Sequence, residues 1–231
     1  MIDFAEIASQ IQRMKIRSLS LKVTNVIGSV SAECITPKET KCVITLAHGA
    51  GAGMNHEFMV KLANVLAEKN IATLRFNFPF MENKKGRPDT PAVAHATIEK
   101  AIARAEKLFS GLPIFAAGKS FGGRMTSQYL SVNHDTPAHG IIFYGFPLHP
   151  PGKPSIERAD HLKAVKVPML FLQGSRDEFA TWKLIESVCS SLRLAELVEI
   201  KGANHAFKAG KLNTIEMLAD ETAKWTGKKS A

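Results

Sequence analysis

Short apolar runs alternate along most of the chain with longer segments in which apolar residues recur every three or four positions. Runs rich in β-branched residues predict strands, whereas the longer spacing predicts helices with one buried face. Strands that alternate with helices are typical of a mostly parallel, twisted sheet covered by helices on both faces. The sequence therefore predicts an α/β fold, with its clearest strands at 42–47, 71–76, 113–118, 140–145, 168–174 and 197–200.

Two further strand-like stretches precede the first of these runs. Residues 19–28 and 29–36 predict an antiparallel hairpin whose strands meet at the Gly28-Ser29 pair. The 231 residues are enough for one substantial core, and no linker or internal repeat divides them. We therefore expect a single domain over residues 1–231.

The chain is basic, with a formal net charge of +9. Nucleic-acid binding needs clustered Lys and Arg side chains or a recognisable motif. Here the basic residues are scattered, apart from small groups at 82–88 and 227–231, and no nucleic-acid-binding motif accompanies them. We interpret the charge as a solvated basic surface and expect no nucleic-acid partner.

The cysteines and the N-terminal segment bear on metal binding and location. No C-x-x-C pair or ligand-spaced histidine accompanies the three cysteines of the chain, Cys34, Cys42 and Cys189. This argues against a disulfide framework and against a zinc site. The N-terminal segment carries Asp3 and Glu6 where a secretory signal needs basic residues, and no apolar run approaches the roughly 20 residues that cross a membrane. We expect reduced thiols, no metal, no membrane partner and a cytoplasmic location.

The segment 115–125, FAAGKSFGGRM, fits two motifs with incompatible chemistry. The Gly-Lys-Ser at 118–120 is how a phosphate-binding P-loop ends, but that motif requires a glycine where this chain has Pro113. A P-loop also needs a loop ahead of its lysine, where this sequence predicts a strand. The G-x-S-x-G that starts at Gly118 instead predicts a sharp strand-to-helix turn that presents Ser120 as a nucleophile. Glycine on each side avoids a clash with the neighbouring backbone.

A serine hydroxyl becomes a good nucleophile when a neighbouring base accepts its proton and a carboxylate orients that base. In this kind of fold the acid and then the histidine follow the serine along the chain. His205 lies on the loop that leaves the last predicted strand, so we predict it as the base. Asp177 lies just beyond the strand at 168–174, at the same edge of the sheet, and is predicted as the acid. The adjacent Glu178 stays open as an alternative.

Acyl transfer also needs an oxyanion hole, two backbone N–H donors aimed at the charge that develops on the carbonyl oxygen. Phe121, directly after the serine, supplies one amide. The glycine-rich turn after the strand at 42–47 can direct the Ala50 amide to the same place. The glycines of this turn do not match the G-x-G-x-x-G of a dinucleotide-binding loop. We therefore predict Ala50 and Phe121 as the oxyanion donors.

Five segments together carry a resemblance to a known superfamily: AHGAGAGMNHEFM, LRFNFPF…GRPDT, AGKSFGGRM, GSRDEF and GANHAF. With these motifs the sequence resembles the α/β-hydrolase superfamily over nearly its full length. More narrowly, it is similar to the dienelactone-hydrolase-like branch that contains the predicted hydrolases grouped with testis-expressed protein thirty and with subunit three of the non-specific-lethal complex. Dienelactone hydrolases proper use a cysteine nucleophile, so their substrate does not carry over to a chain with Ser120.

The residues and the resemblance together predict a serine hydrolase. We expect it to cleave a carboxylic ester or thioester through a Ser120-His205-Asp177 triad and an acyl-enzyme intermediate, without a cofactor. Some members of the narrower branch are subunits of chromatin complexes, so the alternative is a non-catalytic scaffold or interaction protein. A protein retained only for its surface has no physical need for a triad and two donor amides together, which favours the enzyme.

The mouth of the site is predicted to be open and basic. The segment 146–167, where a lid would be inserted, leaves room for little more than one helix, so we expect no substantial lid. Basic residues near this edge would favour a substrate with a carboxylate or phosphate: Lys84, Lys85, Arg87 and Arg124. The alternative is that Arg124 is a buried structural residue paired with an acid such as Asp89 and that the lysines are solvated.

Overall fold

The computed structural model describes residues 14–230, which contain one eight-stranded sheet. Its strands are Met14–Thr24 (β1), Gly28–Pro37 (β2), Cys42–Ala47 (β3), Ile71–Phe76 (β4), Ile114–Lys119 (β5), Ala138–Tyr144 (β6), Met169–Gly174 (β7) and Ala195–Ile200 (β8). They lie in the order β1-β2-β4-β3-β5-β6-β7-β8. Strands β3 to β8 pair in parallel, whereas β2 pairs antiparallel with both β1 and β4. The predicted mostly parallel sheet is confirmed. Asp3 and Glu6, on which the expectation of no secretory signal depends, belong to residues 1–13, which lie outside the described residues.

Helices cover both faces of the sheet, as predicted. They are Glu57–Glu68 (α1), Pro79–Glu82 (α2), Pro91–Leu108 (α3), Phe121–Val132 (α4), Trp182–Ser190 (α5) and Thr214–Lys229 (α6). On one face, α1 and α6 bury residues such as Leu62 and Leu218 in one hydrophobic cluster. On the other face, α3, α4 and α5 bury Ile98, Met125 and Ile185 in a larger cluster. The apolar face of each helix is what holds it on the sheet.

The opening hairpin forms, but the predicted position of its turn is wrong. The turn covers residues 25–27 instead of the Gly28-Ser29 pair. The Thr24 hydroxyl accepts the Ile27 N–H at 2.9 Å and closes the turn early. Gly28 is the first residue of β2, with a φ of 88°, and it pairs with Thr24 where the register shifts. Its left-handed backbone, which glycine adopts without cost, therefore serves a bulge and not the turn itself.

The order of the strands opens a crevice at one edge of the sheet. From β3 the chain moves to β4 on one side, and it then returns to β5 on the other side of β3. The loops that leave the C-terminal ends of β3 and β5 therefore diverge. This divergence is where open parallel sheets bind their ligands.

The segment between β6 and β7 carries a single 3-10 helix, Glu157–Ala164. The prediction of no substantial lid is therefore confirmed for the part of the chain that the structure describes. Within residues 14–230, no helix has both the length and the apolar character needed to cross a bilayer.

Candidate active site

The G-x-S-x-G segment forms a sharp turn between a strand and a helix. Because β5 ends at Lys119 and α4 begins at Phe121, Ser120 alone makes the turn. Its backbone lies at φ 50° and ψ −114°, a sparsely populated region for a residue with a Cβ. Such strain persists only where the surrounding packing imposes it, and it clusters at functional sites. Since β5 continues to Lys119, no loop remains to cradle a phosphate, and the P-loop alternative is excluded.

Close backbone packing requires glycine on both sides of Ser120. A Cβ on Gly118 would lie 2.2 Å from the amide nitrogen of Gly123, and one on Gly122 would lie 2.5 Å from the carbonyl oxygen of His48. Both distances are far inside van der Waals contact, and the opposing atoms are backbone atoms. The second contact means that α4 packs directly on the end of β3, which brings the loop after β3 beside the serine.

The structure brings together the three residues predicted as nucleophile, base and acid. Ser120 Oγ lies 2.8 Å from His205 Nε2. Nδ1 of the same ring lies 2.9 and 2.8 Å from the two carboxylate oxygens of Asp177. When Nδ1 donates its proton to Asp177, Nε2 is left to accept the proton of the Ser120 hydroxyl. This is the geometry of a nucleophile, a general base and an orienting acid.

Asp177 is held in place by two further donors. The Gln173 side-chain amide donates to Oδ2 at 2.6 Å, and the Phe179 N–H donates to Oδ1 at 2.8 Å. The side chain is fully buried, so the carboxylate has no solvent to turn toward. The neighbouring Glu178 accepts from the backbone N–H of His205 at 3.2 Å and not from its ring. The geometry favours Asp177 over Glu178 as the orienting acid.

The loop predicted to carry an oxyanion donor lies beside the nucleophile. A Cβ on Gly49 would lie 3.8 Å from Ser120 Cβ, and Ala50 lines the same cavity as the serine. Among residues 14–230, no acceptor pairs with the backbone N–H of either Ala50 or Phe121. Neither amide is therefore occupied by a protein acceptor, but only Ala50 of the two is among the residues that line the cavity.

The buried His48 orients this loop, a role that the sequence did not reveal. The Phe78 N–H donates to His48 Nε2 at 2.9 Å, so the ring proton lies on Nδ1, which donates to the Gly49 carbonyl at 2.7 Å. The Gly49 carbonyl and the Ala50 N–H belong to one planar peptide and point in opposite directions. By holding the carbonyl, His48 sets the direction of the Ala50 amide.

The surroundings of His48 keep its ring neutral. Burial lowers its pKa to about 4, and the Gly49 carbonyl only partly opposes this shift. The rings of Phe78 and Phe80 pack edge-on against the imidazole, at centroid distances of 5.0 and 5.5 Å. A neutral ring can accept at one nitrogen and donate at the other, which is what this position requires. In the sequence, this role could have been suspected only from the position of His48, a polar residue directly after the buried strand β3.

The far end of the same loop is held by β4 and the residue that follows it. Asn77 accepts the Met54 N–H at 2.9 Å, and Arg75 donates to the Met54 carbonyl at 2.9 Å. Arg75 is nearly fully buried and forms an ion pair with Glu33 on β2. The loop between β3 and α1 is therefore anchored at both ends, by His48 and by the Arg75-Asn77 pair.

A cavity of about 460 Å³ opens beside Ser120. Its lining is mainly apolar side chains and glycine-rich backbone: Gly49, Ala50, Gly51, Ala52, His56, Phe58, Met59, Lys119, Ser120, Glu178, Phe179, His205 and Ala206. In the described part of the chain, no three His, Cys, Asp or Glu side chains are grouped so that they could hold a metal ion. Because its lining is mainly apolar, the cavity can hold a small, largely apolar group next to the serine.

The four basic residues predicted at the mouth are not among the residues that line this cavity: Lys84, Lys85, Arg87 and Arg124. The three on the loop after α2 are exposed to solvent. The site takes a different cation, Lys119, from within the serine motif. The loop residues can therefore act on a substrate only through their electric field and not by direct contact inside the cavity.

Arg124 does not form the ion pair with Asp89 that the alternative interpretation offered for it. Asp89 accepts the Phe80 N–H at 2.9 Å and forms no ion pair with Arg124. The Arg124 Nε atom is buried without a hydrogen-bond partner in the described residues. Burial lowers the pKa of this guanidinium, and the nearby Arg158 lowers it further. The pairing of Arg124 with Asp89, given as an example in that alternative, does not form.

The sheet order, the strained serine after β5, and the acid and histidine after β7 and β8 define the α/β-hydrolase class of fold. The chain belongs to this family, because the family profile described as alpha/beta hydrolase domain matches residues 40–226.

Solved structures share the fold at low sequence identity. A dienelactone hydrolase from Anabaena variabilis is 17% identical with a TM-score of 0.75, over 94% of this chain and 98% of that one. An α-β serine hydrolase homologue from Coxiella burnetii is 24% identical with a TM-score of 0.73, over 89% and 96%. Est1E from Butyrivibrio proteoclasticus is 16% identical with a TM-score of 0.70, over 92% and 98%, and a second structure of Est1E has ferulic acid bound. These likenesses show the fold.

Proposed function

We propose that the protein is a serine hydrolase that cleaves a carboxylic ester or thioester of a small molecule through an acyl-enzyme intermediate. The observation that carries this proposal is the continuous hydrogen-bonded path from Ser120 Oγ through His205 to the buried Asp177. Membership of the α/β-hydrolase family supports it.

In the first half of the proposed reaction, Ser120 Oγ attacks the substrate carbonyl carbon while His205 Nε2 takes the hydroxyl proton. Asp177 holds the Nδ1 proton and stabilises the imidazolium that forms. His205 then gives the proton to the leaving oxygen or sulfur, and the acyl group remains on Ser120 as an ester. In the second half, His205 deprotonates a water molecule that attacks this ester, and it returns the proton to Ser120 as the acid product leaves.

The tetrahedral intermediates of both halves carry a negative charge on the former carbonyl oxygen. The Ala50 and Phe121 amides would donate to this oxygen, and donors of this kind each contribute about 3 kcal/mol of transition-state stabilisation. Because His48 holds the Gly49-Ala50 peptide in place before substrate arrives, little reorganisation is needed at the moment of reaction.

The cavity supports a substrate with a small or medium-sized apolar portion. Phe58, Met59 and Phe179 provide apolar surface close to the serine, and a volume of about 460 Å³ matches a small organic group. The ferulic acid bound to Est1E is an aromatic acid of this size class, which makes aromatic esters the first substrates to test.

Labelling with a fluorophosphonate tests the proposal, because this probe phosphonylates a serine only when its base and oxyanion donors are in place. We expect wild type to be labelled at Ser120, S120A to be unlabelled, and S131A, which changes a serine near the far end of the helix that follows Ser120, to label normally. A panel of p-nitrophenyl esters and acyl-CoA thioesters then separates ester from thioester cleavage. A folded wild type that is neither labelled nor active on the panel would favour the scaffold alternative.

The narrower relationship to the testis-expressed protein thirty group and the cytoplasmic location remain predictions. The relationship is predicted from the residues that make up the motifs around His48, Phe78 and Ser120. The location is predicted from the acidic residues of the N-terminal segment.

A further inference from the structure

Lys119, the residue before the nucleophile, reaches across the sheet edge to the loop of the base. Its Nζ donates to the backbone carbonyl of His205 at 2.7 Å, although the two residues are 86 positions apart. The backbone of His205 is thus held on two sides, because its N–H is accepted by Glu178 at 3.2 Å. Of these two bonds, the one from Lys119 is the shorter and the more buried.

The ammonium group lies in mainly apolar surroundings. It is 5.3 Å from the ring centre of Phe207 and 6.0 Å from that of Phe58, distances at which a cation is attracted to an aromatic face. A Cβ on Gly145 would lie 3.2 Å from Nζ and 3.4 Å from an oxygen of Asp177, so the cation lies close to the carboxylate of the proposed triad.

This setting differs from that of a lysine kept for stability. Lys69, which follows the last residue of α1, ion-pairs with Glu216 and Asp220 at 2.6 and 2.7 Å. Lys119 makes no ion pair within residues 14–230, and burial lowers its pKa to about 8 although Asp177 and Glu178 oppose the shift. Keeping this cation charged at pH 7 costs folding free energy, and such costs are concentrated at functional sites.

We propose that Lys119 is a positioning residue for the reaction proposed above: its charged hydrogen bond to the His205 carbonyl holds the imidazole against Ser120. Lys119 is the last residue of β5 and directly precedes the strained Ser120, so this bond links the segment of the nucleophile to the loop of the base. The loop around His205 lacks regular structure, and Phe207 within it has a φ of 57°. Without this anchor the backbone of His205 keeps only its hydrogen bond to Glu178, and a shift of about 1 Å at a catalytic group costs about 100-fold in rate.

If Lys119 has this role, the plot of activity against pH should fall on its alkaline side, and we call this fall the alkaline limb. As the pH rises past about 8 the ammonium loses its proton, and the charge-assisted bond becomes a weaker neutral one. The charged and titratable groups that face it are Asp177 and Glu178 from the loop after β7, His205 from the loop after β8, and His56 across the cavity. Activity should therefore fall with a midpoint near pH 8.

Three variants test this role: K119M removes the charge at similar length, K119R keeps a charge that does not titrate, and K69M is the matched control. We expect K119M to lose about ten- to a hundredfold in kcat at pH 7 with KM little changed. Its melting temperature should not fall, because a costly charge is removed. K119R should recover most of the rate and lose the limb near pH 8, and K69M should keep the wild-type profile.

Two results would overturn the proposal while leaving the serine hydrolase intact. One is a wild-type enzyme that reacts at Ser120 but shows no limb near pH 8, or the same limb in K119R. The other is a K119M variant whose melting temperature and activity fall in parallel, which indicates a purely structural lysine. A wild-type protein that fails to react with fluorophosphonate would instead overturn the proposed function, and the positioning role with it.

Discussion

Asp177 meets the Nδ1 atom of His205 with both of its carboxylate oxygens, at 2.9 and 2.8 Å. Each oxygen also accepts one further hydrogen bond, from the side-chain amide of Gln173 or from the backbone N–H of Phe179. The ring can therefore neither turn nor exchange its tautomer without breaking this contact. The contact is what leaves Nε2 unprotonated and directed at the serine.

Asp177→Asn should lower kcat about 10⁴-fold while the fold survives, because the amide no longer stabilises the imidazolium or imposes the required tautomer. Glu178→Gln is the matched control, since Glu178 hydrogen-bonds to the backbone of His205 and not to its ring, and it should lose no more than a few-fold. The measurement is the hydrolysis rate of a p-nitrophenyl ester. Equal losses in the two variants would contradict the assignment of the acid.

Ser120→Ala and His205→Ala should each reduce kcat by about 10⁵- to 10⁶-fold, and the double variant should be hardly worse than either. The two side chains act as one unit through the 2.8 Å hydrogen bond. When one of them is removed, the other no longer contributes to the rate. Single and double variants compared with one substrate check this. Losses that multiply would mean that His205 is not the base for Ser120.

Gly122→Ala should lower the free energy of unfolding by at least about 2 kcal/mol, because its Cβ would meet the backbone oxygens of Ala47 and His48 at 2.6 and 2.5 Å. Gly227→Ala is the control. This glycine lies in α6 with nothing within 4 Å of an added Cβ, so alanine should be neutral or stabilise by up to about 1 kcal/mol. Urea unfolding of both variants gives the comparison. A stable, active Gly122→Ala variant would disprove the close packing of the elbow on β3.

Stability should fall as the pH drops from about 6.5 toward 4, because burial holds the pKa of His48 at about 4 in the folded state against 6.5 in the unfolded chain. Above pH 6.5 the ring is neutral in both states and its contribution is fully present. Below 6.5 the unfolded chain binds a proton that the folded protein excludes. The loss is on the order of 3 kcal/mol by pH 4.

His48→Gln should make this part of the pH-stability curve less steep, because its amide oxygen can still accept the Phe78 N–H but does not titrate; the remaining slope includes His161, whose pKa burial also lowers to about 4. The exposed His139→Gln is the control and should leave the slope unchanged. Unfolding free energies measured in steps from pH 7 to 4 decide the matter. An unchanged slope in the His48 variant would show that other groups govern acid unfolding.

Replacing Lys84, Lys85 and Arg87 together by glutamine should change kcat/KM only for an anionic ester and only at low salt. These side chains are exposed and outside the cavity, so they can act only by steering, which salt screens beyond about 10 Å at 0.1 M. A neutral ester of the same size is the control substrate. An effect that persists at high salt would indicate direct contact with the substrate.

The sequence by itself determined the sheet and the order of the chemistry along the chain. The boundaries of β3 and β4 agree with prediction residue for residue, because a buried parallel strand is a mostly apolar run, and polar residues flank both runs here. Ser120, Asp177 and His205 each follow a predicted strand, and parallel strands bring such positions to one edge whatever the details of packing. The hairpin turn was misplaced because Gly28 gives the same local signal in a bulge as in a turn.

Only the tertiary structure decided which polar groups serve the proposed site. His48 and Lys119 owe their roles to the Phe78 amide and the His205 carbonyl, partners 30 and 86 residues away, which no local pattern encodes. The sequence shows that the loop residues Lys84, Lys85 and Arg87 are charged, but it does not show how far they lie from Ser120. In the folded protein they lie outside the cavity. Local sequence specifies periodicity and backbone conformation, whereas burial, tautomer and hydrogen-bond partner depend on which segments meet when the sheet assembles.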